Sequence, residues 1–269
     1  LFYNIFRVIR KQKGGTNLLL QNEKTMLVVS PVGGNVERWQ HGNTEVFFPR
    51  GNALAGNKLR ISGGMHQCLP NLGVLPDTVA SYGLPQHGPL RNTLCSGILL
   101  KDPNPNRQTH GGASMRFEIP GSRNAFPWNL YGSIEIAALP NGFRYETDLV
   151  CTSFIPGKRM PVCCALHSFF NTPNGGCVEF PDGRREFRPM AAEVLTTGPV
   201  IDIRLNGIGK VVMKLEHGYR QAVAWSDSPE YFCVEPTMGD GLLFGTPNGT
   251  YLSHQEHLRL SCSFEFQPE

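Results

Sequence analysis

The chain has 269 residues, with 25 Lys and Arg against 22 Asp and Glu and a formal net charge of +3. That charge is too small and too dispersed to point to nucleic acid or an anionic membrane surface. No apolar run reaches the roughly 18 residues of a spanning helix, and no repeat, low-complexity tract or linker divides the sequence, so a single domain over residues 1–269 is expected.

Residues 1–13 mix apolar side chains with Arg7, Arg10 and Lys11 and lack the layout of a signal peptide, so they read as an N-terminal arm or an extra strand. Beyond them helical periodicity is scarce. Short β-branched and aromatic runs punctuated by Gly, Pro and Asn recur instead, which is the pattern of an all-β sandwich or barrel. Residues 18–20 and 26–30 read as a hairpin turning at 21–24, and 36–40 as a strand with Val36 and Arg38 on one face and Glu37 and Trp39 on the other. A further strand is expected at 45–49.

Residues 51–83 are rich in Gly, Asn and Pro and alternate little; the apolar residues within 68–75 argue against disorder, so this segment reads as an irregular binding-site rim. Strands are then expected at 93–100, 113–119, 130–138, 142–153, 162–170 and 176–180, with an exposed polar turn at 102–112. The remainder are expected at 200–206, 210–216, 221–226, 231–235, 249–253 and 257–266. The last alternates cleanly through Leu258, Leu260, Cys262, Phe264 and Phe266. Roughly a dozen strands exceed one small sheet and call for two packed sheets.

The eight cysteines fall mostly inside apolar runs, with no paired Cys-x-x-Cys or His-x-x-x-His spacing. They read as buried free thiols of a cytoplasmic protein rather than as zinc ligands.

Residues 82–92, Tyr-Gly-Leu-Pro-Gln-His-Gly-Pro-Leu-Arg-Asn, stand apart. A proline on each side of Gln-His-Gly excludes both a helix and a central strand, so Gln86, His87 and Arg91 are displayed on a stiff loop. Residues 84–92 resemble the Gln-His-Gly-x-x-Arg-Asn signature of the aldose 1-epimerase (galactose mutarotase-like) family, in particular its glucose-6-phosphate 1-epimerase-like branch of hexose-phosphate mutarotases. Four more segments follow the family order: 32–39 (Val-Gly-Gly-Asn-Val-Glu-Arg-Trp), 63–70 (Gly-Gly-Met-His-Gln-Cys-Leu-Pro), 165–170 (Ala-Leu-His-Ser-Phe-Phe) and 231–236 (Tyr-Phe-Cys-Val-Glu-Pro). The resemblance implies a large twisted antiparallel β-sandwich of the galactose mutarotase type. It also implies interconversion of the α and β anomers of an aldohexose or aldohexose phosphate.

Mutarotation opens a hemiacetal ring and closes it on the other face of the anomeric carbon. One group takes the proton of the anomeric hydroxyl and another gives one to the ring oxygen, work suited to a carboxylate paired with an imidazole. This chemistry calls for no cofactor and no metal. By resemblance Glu235 is the base, His167 the acid and His87 the ring-oxygen partner, with Gln86 beside it. Without the resemblance, Glu235 reads as a solvated strand-end carboxylate and His167 as a core histidine. Arg91 suits substrate binding and loop bracing equally. Trp39, Trp128 and Trp225 are of a type that stacks on sugar rings, but each lies in a strand-like run and core packing is the favoured reading.

Two departures from the family pattern bear on the substrate. Where sugar-phosphate relatives carry Arg-Gly-Gly-x-Pro, this chain has Ser62-Gly63-Gly64-Met65-His66, and Arg60, on the same strand face as Ser62, is the substitute anion contact. The stretch between His167 and Glu235 is also shorter than in the relatives and offers no clear match for the family's sugar-binding Asp; Asp202 is the candidate, and it fits a half-exposed surface strand at least as well. These changes motivate an alternative function, a carbohydrate-binding homologue that keeps the groove without turnover. A sugar lyase on a related sandwich is a third reading.

Overall fold

The computed structural model describes residues 9–12, 15–55, 58–101 and 111–269, and side chains at 17–51, 62–101 and 111–269. The chain begins as a meander of β1 (Ile9–Gln12), β2 (Gly15–Asn22), β3 (Thr25–Val29), β4 (Val36–His41) and β5 (Thr44–Glu45). A separate hairpin, β6 (Gly51–Ala55) and β7 (Lys58–Ser62), precedes β8 (Met65–Cys68). Past two short 3-10 turns at Asp77–Tyr82 and Leu90–Asn92 come β9 (Ser96–Lys101), β10 (Gly112–Ile119), β11 (Leu130–Leu139) and β12 (Gly142–Cys151). Then follow β13 (Met160–Val162), β14 (Ala165–Asn171), β15 (Gly176–Phe180), β16 (Gly183–Glu186), β17 (Met190–Thr196) and β18 (Val200–Leu205). The last are β19 (Gly209–His217), β20 (Gln221–Ser226), β21 (Tyr231–Thr237), β22 (Thr250–Leu252) and β23 (His257–Pro268).

Two large antiparallel sheets result. One runs β1-β2-β3-β4-β8-β14-β21-β20-β17 with β5 beside β4; the other runs β16-β15-β18-β19-β23-β12-β11-β10-β9. Aromatic rings from both fill the space between them: Trp39 of β4 meets Phe143 of β12 edge-on at 5.0 Å, and Phe143 stacks on Phe264 of β23 at 4.7 Å. Perpendicular and stacked ring pairs of this kind add to the area term of burial. The all-β sandwich expected from the sequence is therefore the fold observed. All eight cysteines are free and buried, and among the described residues no helix is long and apolar enough to cross a membrane.

Several local expectations are corrected. Within the stretch read as irregular, β6 and β7 pair with each other and β8 lies between β4 and β14, deep in the first sheet. All four residues of β8 are buried, so no polar alternation marks it in the sequence. Gly63 and Gly64 bring the chain into β8 with φ of 97° and 67°. A Cβ at either would stand 2.4 Å from a backbone oxygen, of Pro49 and Val36 respectively. In β4 the pairing steps from Val28↔Arg38 to Val29↔Val36, leaving Glu37 as a bulge. The extra residue turns Val36 and Trp39 to the same buried side, against the simple alternation expected. The strand expected at 45–49 shortens to β5 and a single bridge from Phe47 to Phe170. Strands β16 and β17 are largely exposed and were not anticipated. The N-terminal arm, except β1, and most of the polar turn at 102–112 lie outside the described residues.

Candidate active site

The register of four neighbouring strands assembles the site. His167 of β14 pairs with His66 of β8. On the other side, Ala165↔Thr237 and Phe169↔Cys233 place Glu235 of β21 opposite His167, and Val223 of β20 pairs with Glu235. Residues directly opposite in an antiparallel ladder share a face, so His66, His167, Glu235 and Val223 form one row across the middle of the sheet. The face is the one turned away from the second sheet. Gln67, next to His66, points the other way and accepts a 2.7 Å hydrogen bond from Thr147 Oγ1 of β12.

This row floors a cavity of about 910 Å3, a size suited to a small molecule. Of the residues expected from the sequence, Glu235, His167, His87, Gln86 and Arg91 all line it. Leu72, Gly73 and Val74, within the segment 51–83 read as a binding-site rim, line it as well. His87 reaches the row from its loop: its ring lies 5.0 Å from that of His167, nearly perpendicular, and 5.6 Å from that of His66. His66 stacks on His167 at 4.6 Å.

The loop is held in an uncommon backbone conformation, with φ of 65° at His87 and 71° at Gly88. A Cβ on Gly88 would lie 2.0 Å from the carbonyl oxygen of Leu69. The segment 32–39 provides the seat: Gly33 N–H donates to the carbonyl of Thr93 at 2.8 Å, and Asn35 Nδ2 donates to the carbonyl of Arg91 at 3.1 Å. Gly73 N–H donates to His87 Nδ1 at 3.3 Å, which leaves the proton of the neutral ring on Nε2.

Glu235 and His167 are each 2% exposed. Glu235 Oε1 lies 3.3 Å from His167 Nε2 and accepts a hydrogen bond from the Trp225 indole N–H. Burial pushes the Glu235 carboxyl up to about 8, opposed by the Trp225 bond, which favours the anion. Burial, then His66 and His87, hold His167 well below the ordinary imidazole range. Burial, then the Arg91 guanidinium, lower His87 to about 4. Near neutrality the Glu235–His167 pair thus holds a single proton between two groups in contact.

Other expectations fall differently. Arg60 lies in β7, but its side chain is outside the described residues. Asp202 does not reach the site: it is on β18 of the second sheet and pairs with Lys210 at 3.3 Å. Trp225, read as core, lines the cavity, whereas Trp39 and Trp128 are buried as expected.

His66, Arg50, Tyr231, Asp227 and Asp240 also line the cavity, beyond the residues expected from the sequence. His66 was visible only as a departure from Gly-Gly-x-Pro. Asp240 precedes the 3-10 turn Gly241–Leu243, in the loop that follows β21. Burial lowers the Arg50 pKa, against the opposing effect of Glu37. Tyr231 donates its hydroxyl to Asp227. Among the described residues two groups could hold a metal ion, His66 with His87 and His167, and His167 with Cys233 and Glu235; within each group the ligand atoms lie within 4.8 Å of one another.

No protein-family model matches the chain, and no curated protein matches it. Solved structures do match. A protein from Synechocystis sp. PCC 6803 superposes with a TM-score of 0.75 at 17% identity, covering 100% of both chains. Galactose 1-epimerase from Lactobacillus acidophilus NCFM gives 0.70 at 11% identity, covering 98% of each chain. A galactose mutarotase related enzyme from the same species gives 0.68 at 13% identity over 93% of this chain and 97% of the other. At these identities the likeness concerns architecture, and the chain has the β-sandwich fold of the galactose mutarotase type.

Proposed function

We propose that the protein is an aldose 1-epimerase, interconverting the anomers of an aldohexose or aldohexose phosphate in the cytoplasm. The observation that carries this reading is the Glu235–His167 contact at 3.3 Å on the floor of a sugar-sized cavity. Burial favours the proton on the Glu235 carboxyl with a neutral His167 ring. Its transfer across the 3.3 Å contact gives the reactive carboxylate–imidazolium form. From that form Glu235 takes the proton of the anomeric hydroxyl while His167 protonates the ring oxygen, and the C1–O5 bond breaks. Rotation about C1–C2 presents the other face of the aldehyde. The two proton transfers then reverse, and the ring closes as the opposite anomer. No electron leaves the system, and the single shared proton is restored each cycle.

His87 supports the ring oxygen through its Nε2–H, the tautomer set by Gly73. Arg50 and Arg91 suit an anionic group on the substrate, which keeps the sugar-phosphate branch in view. The buried, unpaired thiols suit a reducing compartment.

The test is anomer exchange by NMR with glucose, galactose and glucose 6-phosphate, using wild type and Glu235→Gln. Exchange above the spontaneous rate that is lost in the variant supports the proposal, and the fastest sugar identifies the substrate class. Folded wild type that binds sugar without accelerating exchange, with affinity unchanged by Glu235→Gln, assigns the cavity to carbohydrate binding alone.

A further inference from the structure

The geometry points to a binding site for a divalent first-row transition ion, with Zn2+ the fitting occupant, formed by His66, His87 and His167. One ring nitrogen from each lies within 4.8 Å of the other two. Zinc–nitrogen bonds of about 2.0–2.1 Å in a tetrahedral site place ligand atoms roughly 3.3 Å apart, so modest side-chain rotations close the trio. Two rings are anchored in the sheet on paired positions, and the third is carried by a loop, which gives the adjustable partner.

Hydrogen bonding provides the second observation. His66 Nε2 and His167 Nδ1 are buried and lack any hydrogen-bond partner, whereas buried polar atoms are nearly always satisfied. The other nitrogen of His167, Nε2, faces the Glu235 carboxylate at 3.3 Å. A ligating histidine typically shows this arrangement, one nitrogen on the ion and the other donating to a carboxylate that fixes its tautomer. Ligation of His87 through Nε2 moves its proton to Nδ1, where Cys68 Sγ at 3.5 Å is an acceptor and the Gly73 contact loosens. Arg50 and Arg91 oppose a cation here, and Glu235, Asp227 and Asp240 around the same cavity offset them. Three histidines leave a fourth position toward the cavity for water or a sugar hydroxyl.

The ion site stands apart from the proposed epimerase reading, because its occupancy is read without sugar. Metal-free wild type is titrated with Co2+ by visible absorption and back-titrated with Zn2+, alongside His66→Asn, His87→Asn and the exposed-site control His254→Ala. The expected result is one equivalent bound by wild type and by the control, with at least 100-fold weaker binding in either cavity variant. X-ray absorption at the zinc edge of wild type is expected to show three imidazole ligands, a measurement that needs no variant to fold. Wild type that takes up no Co2+ below millimolar concentration, cavity variants that bind as tightly as wild type, or fewer than three imidazoles at the zinc would overturn the proposal.

Discussion

The His167 imidazole and the Glu235 carboxylate face each other across adjacent strands, Nε2 to Oε1 at 3.3 Å, with both side chains almost wholly enclosed. Each disfavours charge on its own in that setting, and each is the nearest partner for the other's charge. Removing one side of the pair is therefore expected to remove turnover. Glu235→Gln, which keeps an acceptor for Trp225, is expected to lower kcat for anomer exchange by about 100-fold or more. Circular dichroism should remain that of wild type, and sugar affinity should change little.

The pH dependence follows from the single shared proton. Above about 8 the pair loses it and no acid remains, so kcat/KM should be level near neutrality and fall tenfold per pH unit beyond that point. Trp225→Phe removes the hydrogen bond that favours the carboxylate, which raises the carboxyl further and moves the falling limb to higher pH. A limb at the same pH in both proteins would assign it to another group.

Stability should run against activity at Glu235. Its folded pKa is raised from 4.5 to about 8, so its stabilising contribution is fully present below about 4.5 and is lost as pH rises through 8. Glu235→Gln escapes this loss. Thermal denaturation is expected to show the variant more stable than wild type by roughly 5 °C at pH 9, with the gap closing toward pH 5.

Gly88→Ala is expected to damage the loop that carries His87. The new methyl would meet the Leu69 carbonyl oxygen at 2.0 Å and hold a backbone with φ of 71°. A loss of about 2 kcal/mol or more in unfolding free energy, with a larger fall in kcat than in sugar affinity, would be the signature.

Zinc provides a fourth handle on the cavity. An ion on His66, His87 and His167 takes the His87 Nε2 proposed to face the ring oxygen and keeps His167 from becoming an imidazolium, so stoichiometric Zn2+ is expected to stop anomer exchange and EDTA to restore it. Inhibition by Zn2+ that is equal in His66→Asn would place the inhibitory ion elsewhere.

How much of this was legible in the chain depends on burial. Strands with one face in the core, such as β11, β12 and β23, alternate and could be read within two or three residues at each end. Strand β8 is enclosed along its whole length and β16 and β17 lie largely on the surface, so neither condition leaves a period-two pattern. The bulge at Glu37 changes a face by one residue and leaves no mark in the residue types. Glu235, His167 and His87, which the motifs single out, come together at one cavity. His66 became a neighbour of His167 only through pairing between strands distant in sequence, and Asp202 was misplaced because alternation gives a face without saying in which sheet.

The row of His66, His167 and Glu235 is set by backbone pairing in central strands, while Leu72, Val74, Gln86, Asp240 and Leu242 approach from loops around the opening. Reactivity and selectivity are thereby assigned to separately mutable parts of the molecule. On the proposed reading, exchanging the loops at 72–74 and 240–242 should alter which substrate is accepted while the His66, His167 and Glu235 row stays in place.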